Sequence, residues 1–245
     1  TGTRLKGMSY ESPVASAQIK SSLLFASLYA DGLTTISEPR LSRDHTERMF
    51  AYFGIPFHRD GCTVRIEGRP SIRWSGKTVV VPGDLSAAAF FIVGASIVPD
   101  SDVTVLSVGM NPTRTGLLDI LRQMGAHIEV LNPREEAGEP VADLRVRSMP
   151  LRGVQIGPEQ IPQTIDEFPI LCVAAAVADG ETVITGAEEL RVKESDRIAT
   201  MAAELRAMGA RIEERPDGMV IQGLGRKGAN GALTGATCES HGDHR

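Results

Sequence analysis

Glu181-Thr-Val-Ile-Thr-Gly186, then Arg191-Val-Lys-Glu-Ser195, then Ala207-Met-Gly-Ala-Arg-Ile212 is the stretch that decides the fold, because two earlier stretches repeat its plan. One earlier copy runs Asp102-Val-Thr-Val-Leu-Ser107, Pro112-Thr-Arg-Thr-Gly116 and Gln123-Met-Gly-Ala-His-Ile128. The first copy runs Gly32-Leu-Thr-Thr-Ile-Ser37, Arg43-Asp-His-Thr-Glu47 and Tyr52-Phe-Gly-Ile-Pro-Phe57. Self-similarity of this kind is the signature of a repeated supersecondary unit. Each copy opens on a β-branched run, which favours a strand. A polar loop follows, and then apolar residues at helical spacing, as in Leu117, Leu121 and Met124 or Met201, Leu205 and Met208. Gly54, Gly125 and Gly209 come next, where a glycine with positive φ ends a helix at little cost.

Outward from this core the unit grows in both directions. A second strand follows each glycine, as at 127–131, and a third closes the unit at 63–67, 144–147 and 219–222. Upstream lie apolar helices at 15–30, 85–98 and 167–178, the last two preceded by short strands at 78–81 and 154–156. The unit therefore reads β-α-β-α-β-β, and a fourth opens near Ala236. The upstream helix of each unit is apolar nearly all round, which predicts burial on every side. The downstream helix is amphipathic, with Glu47, Arg48, Glu204 and Arg206 available for water. Upstream helices of several units would then cluster centrally, with the sheets outside them.

Composition sets the outer bounds. The 245 residues are 42% hydrophobic and 23% charged, as in ordinary soluble domains. A formal net charge of -5 argues against a nucleic-acid partner. The longest apolar run, 168–178, is broken by Pro169 and falls short of the ~20 residues a membrane span needs. Residues 1–6 have no apolar core of a signal peptide. Cys62, Cys172 and Cys238 show no metal-ligand spacing and read as reduced thiols in a cytoplasm. The glycine-rich loop 223–231 follows a strand but opens no helix, so it reads as a turn and not a phosphate loop.

With the repeat in place, six ordered motifs carry a resemblance. They are Ser16-Ala-Gln-Ile-Lys20, Arg43-Asp-His-Thr-Glu47, Asn111-Pro-Thr-Arg114, Asp166-Glu-Phe-Pro-Ile-Leu171, Arg191-Val-Lys-Glu-Ser-Asp-Arg197 and Asp243-His-Arg245. Together they resemble the enolpyruvyl transferases, and within them the 5-enolpyruvylshikimate-3-phosphate (EPSP) synthases of the bacterial subgroup that includes glyphosate-tolerant members. The resemblance implies an α/β fold, an inverse α/β barrel built from βαβαββ units. It divides the chain into 1–76, the last unit of one lobe, and 77–245, two units and the start of a third in another. It also implies that the family's chain extends beyond both ends of this sequence. The missing parts would carry further lysine and arginine contacts, so the chain alone is expected to be inactive. It is also expected to self-associate or to need an N-terminal piece, through an exposed face of helix 15–30 with Ile19, Leu23, Leu24 and Leu28 as candidates.

The activity implied is transfer of the enolpyruvyl group from phosphoenolpyruvate to the 5-hydroxyl of shikimate-3-phosphate, with no metal and no organic cofactor. Ser16 and Gln18 open a helix and read locally as a cap and a solvated side chain. A helix N-terminus also suits a phosphate. The resemblance assigns Ser16 and Ala17 to the substrate phosphate, Gln18 to both substrates and Arg43 to phosphoshikimate. Asp166 reads locally as an N-cap; the resemblance makes it the base for the 5-hydroxyl. Residues 191–197 read locally as a solvated charged turn. The resemblance places Lys193 at both substrates, Glu194 as general acid at the methylene carbon, and Arg197 and Arg245 at phosphoenolpyruvate. His45 and Arg114 read as structural, Arg114 tying its loop to a carboxylate, and the terminal His244 and Arg245 are expected to fray. Two other readings stay open: the related transferase acting on UDP-N-acetylglucosamine, and a non-catalytic piece that binds a phosphorylated ligand.

Overall fold

The computed structural model describes residues 4–69, 76–225 and 233–244. The chain divides into two units. The first runs up to Pro82 and includes Arg134–Pro140; the second comprises Gly83–Pro133 and the residues from Val141 on.

In the first unit, β1 (Ser9–Glu11), a strand not expected at that place, comes first. After it α1 (Ala17–Ser27), β2 (Leu33–Ser37), α2 (His45–Phe53), β3 (His58–Asp60) and β4 (Thr63–Glu67) follow the predicted order. The sheet order is β1-β2-β4-β3, with β1 parallel to β2 and the other pairs antiparallel. Side chains alternate along strands, so one face of β2 and β4 delivers Ile36, Val64 and Ile66 to the core. Leu24 of α1 and Phe50 of α2 meet them there. The Phe50 ring is met edge-on by Phe25 at 5.3 Å and by Phe57 at 6.5 Å. Each buried Leu or Phe contributes roughly 1.5–3 kcal/mol.

The second unit holds two more repeats. The earlier comprises α3 (Leu85–Ile97), β5 (Asp102–Gly109), α4 (Gly116–Gln123), β6 (His127–Glu136) and β7 (Glu139–Arg147), the turn between the last two being counted in the first unit. The later comprises β8 (Gln155–Ile156), α5 (Phe168–Val177), β9 (Asp179–Ile184), α6 (Arg197–Ala207), β10 (Arg211–Arg215) and β11 (Gly218–Leu224). Its sheet, β8-β9-β11-β10, repeats the connectivity of the first sheet, and the middle sheet, β5-β7-β6, is the same plan without its first strand.

That strand is a correction to the sequence reading. Residues 78–81 form no strand, and Val79, Val80 and Val81 are exposed. A single parallel bridge, Gly83 to Val108, stands in its place. The partner explains why. β5 shifts register between Val105 and Val108, so the ladder breaks where the next pairing step would fall. Asp143 holds the irregular segment, accepting from the Ser107 N–H at 2.8 Å.

The glycines behave as the repeat requires. Gly54, Gly125 and Gly209 have φ of 75°, 96° and 93°. Each donates its N–H three residues back, and the following residue donates five back: Gly125 to Arg122 and Ala126 to Leu121, Gly209 to Arg206 and Ala210 to Leu205. Gly54 and Ile55 make the same pair of bonds to Ala51 and Phe50, so three helices end in one Schellman motif.

The upstream helices do not share one environment, contrary to the even burial expected of them. α5 is enclosed, with Phe168, Leu171, Cys172 and Ala174–Ala176 all buried. Burial pushes the Cys172 thiol pKa well up, because the thiolate would lose its water there. α3 leaves Phe90 and Phe91 exposed, and α1 leaves Phe25 exposed. Leu24, expected on an open face, is fully buried; the side of α1 that meets the sheet carries Lys20, Leu24 and Ser27. Among the described residues no helix is long and apolar enough to cross a membrane.

Candidate functional site

Two polar sites form, one in each unit. In the first, Ser16 is extended and caps α1, its Oγ accepting from the Ile19 N–H at 3.4 Å. Ala17 is the first helical residue and is half-buried, while Gln18 is exposed. Arg43 sits half-buried in the loop between β2 and α2. Beneath these residues lies a cluster that the sequence reading missed. Lys20 Nζ is 2.9 Å from Glu38 Oε1 and 2.8 Å from Glu47 Oε1, and all three side chains are almost fully buried. Ser21 and Thr46 join the same two helices through their hydroxyls at 2.7 Å. His45 Nδ1 lies 2.7 Å from Glu139 Oε1 within this unit, the structural place read for it.

In the second unit, α6 begins with Asp196, whose Oδ1 accepts from the Ala199 N–H at 3.0 Å. Arg197 is the first residue of the helix, and its guanidinium is buried. Nε donates to Asp243 Oδ2 at 2.9 Å, and Nη2 donates to Glu194 Oε2 at 2.6 Å and to Asp243 Oδ1 at 3.2 Å. Nη1 is 3.9 Å from Asp166 Oδ1. Ser195 Oγ adds a 2.8 Å bond to Asp243 Oδ2. Burial by itself would lower the Arg197 pKa; the hydrogen bond and charge of Asp243, then the charges of Glu194 and Asp166, outweigh it and raise it. The cation is therefore fixed, and its rim is open on the Glu194 side, where that side chain is 48% exposed.

Several residues fall in other places than expected. Asp166 is not the cap of α5. Glu167 takes that position, makes no cap hydrogen bond, and turns its buried carboxylate to the Ser86 hydroxyl and to Arg114 at 3.9 Å. Arg114 also donates to Asp84 at 3.2 Å, the structural tie read for it. Lys193 pairs with Glu189 at 2.5 Å, four residues away, while Glu194, Arg197 and Asp166 gather at one point. The charged turn 191–197 is not merely solvated. Arg191 bonds Asp196, Glu214 and the Pro216 carbonyl at 2.9, 3.0 and 2.6 Å. His244 is described, with Nδ1 3.8 Å from Glu194 Oε1. Its segment is anchored, since Glu204 accepts from the Glu239 N–H at 3.2 Å and lies 2.8 Å from His241 Nε2. Arg245 and most of the loop 223–231 lie outside the described residues.

The sequence reading also missed Asp243, although it stands in a quoted motif. Its signal was an acidic residue directly before the His-Arg pair. Chemically, the second site sets carboxylates on different sides of one fixed cation. A cation favours the ionised form of the carboxylates beside it, which suits a group that accepts a proton or aligns one. Among the described residues no group of His, Cys, Asp and Glu is placed to hold a metal ion.

The repeat and its sheets are those of the enolpyruvyl transferase fold. A solved EPSP synthase from Acinetobacter baumannii superposes with a TM-score of 0.91 at 47% identity, covering 99% of this chain and 55% of that one. The enolpyruvyl transferase NikO from Streptomyces tendae shares the fold at a TM-score of 0.69 and 20% identity, over 91% of this chain and 52% of that one. The family model described as EPSP synthase (3-phosphoshikimate 1-carboxyvinyltransferase) matches residues 1–245. Proteins named 3-phosphoshikimate 1-carboxyvinyltransferase are 57% identical in Geobacter sulfurreducens and 59% in Alkalilimnicola ehrlichii. Both alignments take in all of this chain and 55% and 53% of the relative. The chain belongs to the EPSP synthase family, and it spans about half the length of the relatives it matches.

Proposed function

We propose that the protein carrying this chain transfers the enolpyruvyl group of phosphoenolpyruvate to the 5-hydroxyl of shikimate-3-phosphate and releases phosphate. The observation that carries the reading is the cluster of Glu194, Asp166 and Asp243 around Arg197, in a chain of this family. In this reading Glu194 gives a proton to the methylene carbon, and the adjacent carbon becomes electrophilic. The 5-hydroxyl oxygen bonds to that carbon as Asp166 takes its proton. The tetrahedral intermediate then loses phosphate, and the methyl group returns a proton to restore the double bond. Arg197, with Lys193 and Arg245, serves the phosphoenolpyruvate anion; arginine suits it because its planar fork binds such groups bidentately. Ser16 and Ala17 serve the shikimate phosphate at the N-terminus of α1, where backbone N–H groups favour an anion; Gln18 touches both substrates, and Arg43 touches shikimate-3-phosphate. The same reading takes 1–76 and 77–245 as parts of two lobes and places the protein in the cytoplasm.

The test is Glu194→Gln in the full-length protein. Gln keeps the shape and loses the proton donor, so turnover should fall by about 10²–10⁴-fold while the affinity for both substrates changes little. Turnover near that of the parent would remove Glu194 as the acid.

A further inference from the structure

We propose that Lys20 is a positioning residue for phosphate recognition, which locks the first turn of α1 to the loop carrying Arg43. The inference rests on the reading of Ser16 and Ala17 as contacts of the shikimate phosphate and of Gln18 and Arg43 as contacts of shikimate-3-phosphate. The Lys20 N–H donates to the Ser16 carbonyl at 3.0 Å, so both residues belong to one helical turn. Its ammonium is buried, which places it below the surface a ligand would touch. Lysine is seldom buried without a partner, and here the partners come from two other segments. Glu38 directly follows β2, and its Oε1 accepts both from Lys20 Nζ at 2.9 Å and from the Ser42 N–H at 3.2 Å, one residue before Arg43. Glu47 lies in the first turn of α2, with Oε1 2.8 Å from the same ammonium. The Ser21–Thr46 hydroxyl bond ties α1 to α2 a second time. One buried charge thus sets the spacing of the segments proposed to hold the phosphate.

Well-packed apolar side chains often replace a buried ion group without loss of stability. The charges here therefore act on register. Glu38 Oε2 and Glu47 Oε2 have no hydrogen-bond partner, a poor arrangement if stability alone were served.

Two variants of the full-length protein test this. Glu38→Gln keeps the shape and an acceptor for the Ser42 N–H but removes the charge. The triple variant Lys20→Met with Glu38→Gln and Glu47→Gln removes both ion pairs without leaving an ammonium or a carboxylate unpaired. Calorimetric titration with shikimate-3-phosphate should show binding weakened roughly tenfold or more, about what losing one hydrogen bond to a charged group costs. The KM for phosphoenolpyruvate and kcat at saturation should change far less, a split that general destabilisation does not produce. If both variants bind shikimate-3-phosphate as the parent does, whatever their melting temperature, the inference is overturned alone. A parent that does not bind shikimate-3-phosphate overturns the functional reading and this inference with it.

Discussion

Lys20 and Arg197 are both buried cations held among carboxylates, yet their surroundings differ. Around Lys20 the glutamate side chains are as hidden as the lysine itself, at 2% and 3% exposure. Around Arg197 one carboxylate, Asp243, is buried, but Glu194 is half in water. A closed cluster can fix the spacing of the elements around it and nothing else. An open one can exchange a proton or an anion with a ligand. The same physics, desolvated charge matched by opposite charge, thus serves two ends according to whether the rim reaches solvent.

The largest expected effect breaks the comparison at its closed side. Lys20→Met leaves two buried carboxylates without a cation, and such a loss costs about 3–5 kcal/mol. Arg197→Met should cost less, because it strands one buried carboxylate, Asp243, which keeps its bond from Ser195, while Glu194 can return to water. Urea unfolding of both variants in the full-length protein measures this; equal losses would mean that the two clusters are not different in kind.

A second pair of variants asks whether the frameworks around the clusters are alike. A Cβ on Gly68 would come within 2.1 Å of the Ala30 carbonyl oxygen, and one on Gly223 within 2.1 Å of that of Ala178. Gly68→Ala and Gly223→Ala should therefore destabilise by similar amounts. Both should exceed Gly209→Ala, which meets only ordinary contacts and carries the left-handed penalty of ~1–2 kcal/mol. Thermal unfolding that ranks Gly209→Ala worst would contradict the equivalence.

The smallest effect sharpens the open side. The His241 ring and the Glu239 N–H hold the Glu204 carboxylate below the usual glutamate range. Its contribution is present above the ordinary value, about pH 4.3, and is lost as pH falls through the lower folded value. This anchor steadies the segment that brings Asp243 to Arg197. Amide protection at 238–243, corrected for the intrinsic slowing of exchange in acid, should fall on acidification before protection in α1 does. Simultaneous loss would show that the Arg197 cluster does not depend on that anchor.

The chain's glycines and periodicity made much of the fold legible. The Schellman ends at Gly54, Gly125 and Gly209 follow from residue type and local hydrogen bonding, which the sequence carries in full. The strand expected at 78–81 failed because its formation depends on a partner, and the bulge in β5 is a property of the pair. Leu24 was placed on the wrong side of α1 because an apolar helix gives no clear phase; only the sheet chooses which face is covered.

The site divides along the same line. Sequence alone determined the repeat, the glycine helix ends and the list of charged motifs, because these depend on contacts between near neighbours in the chain. Tertiary structure alone decided that Asp166 and Asp243 join Glu194, a near neighbour of Arg197, on one guanidinium, and that Glu38 and Glu47 share one ammonium. Those carboxylates come from segments as much as 77 residues apart, from Asp166 to Asp243. No local rule couples them; burial does, because a desolvated cation must find opposite charge wherever the fold brings it.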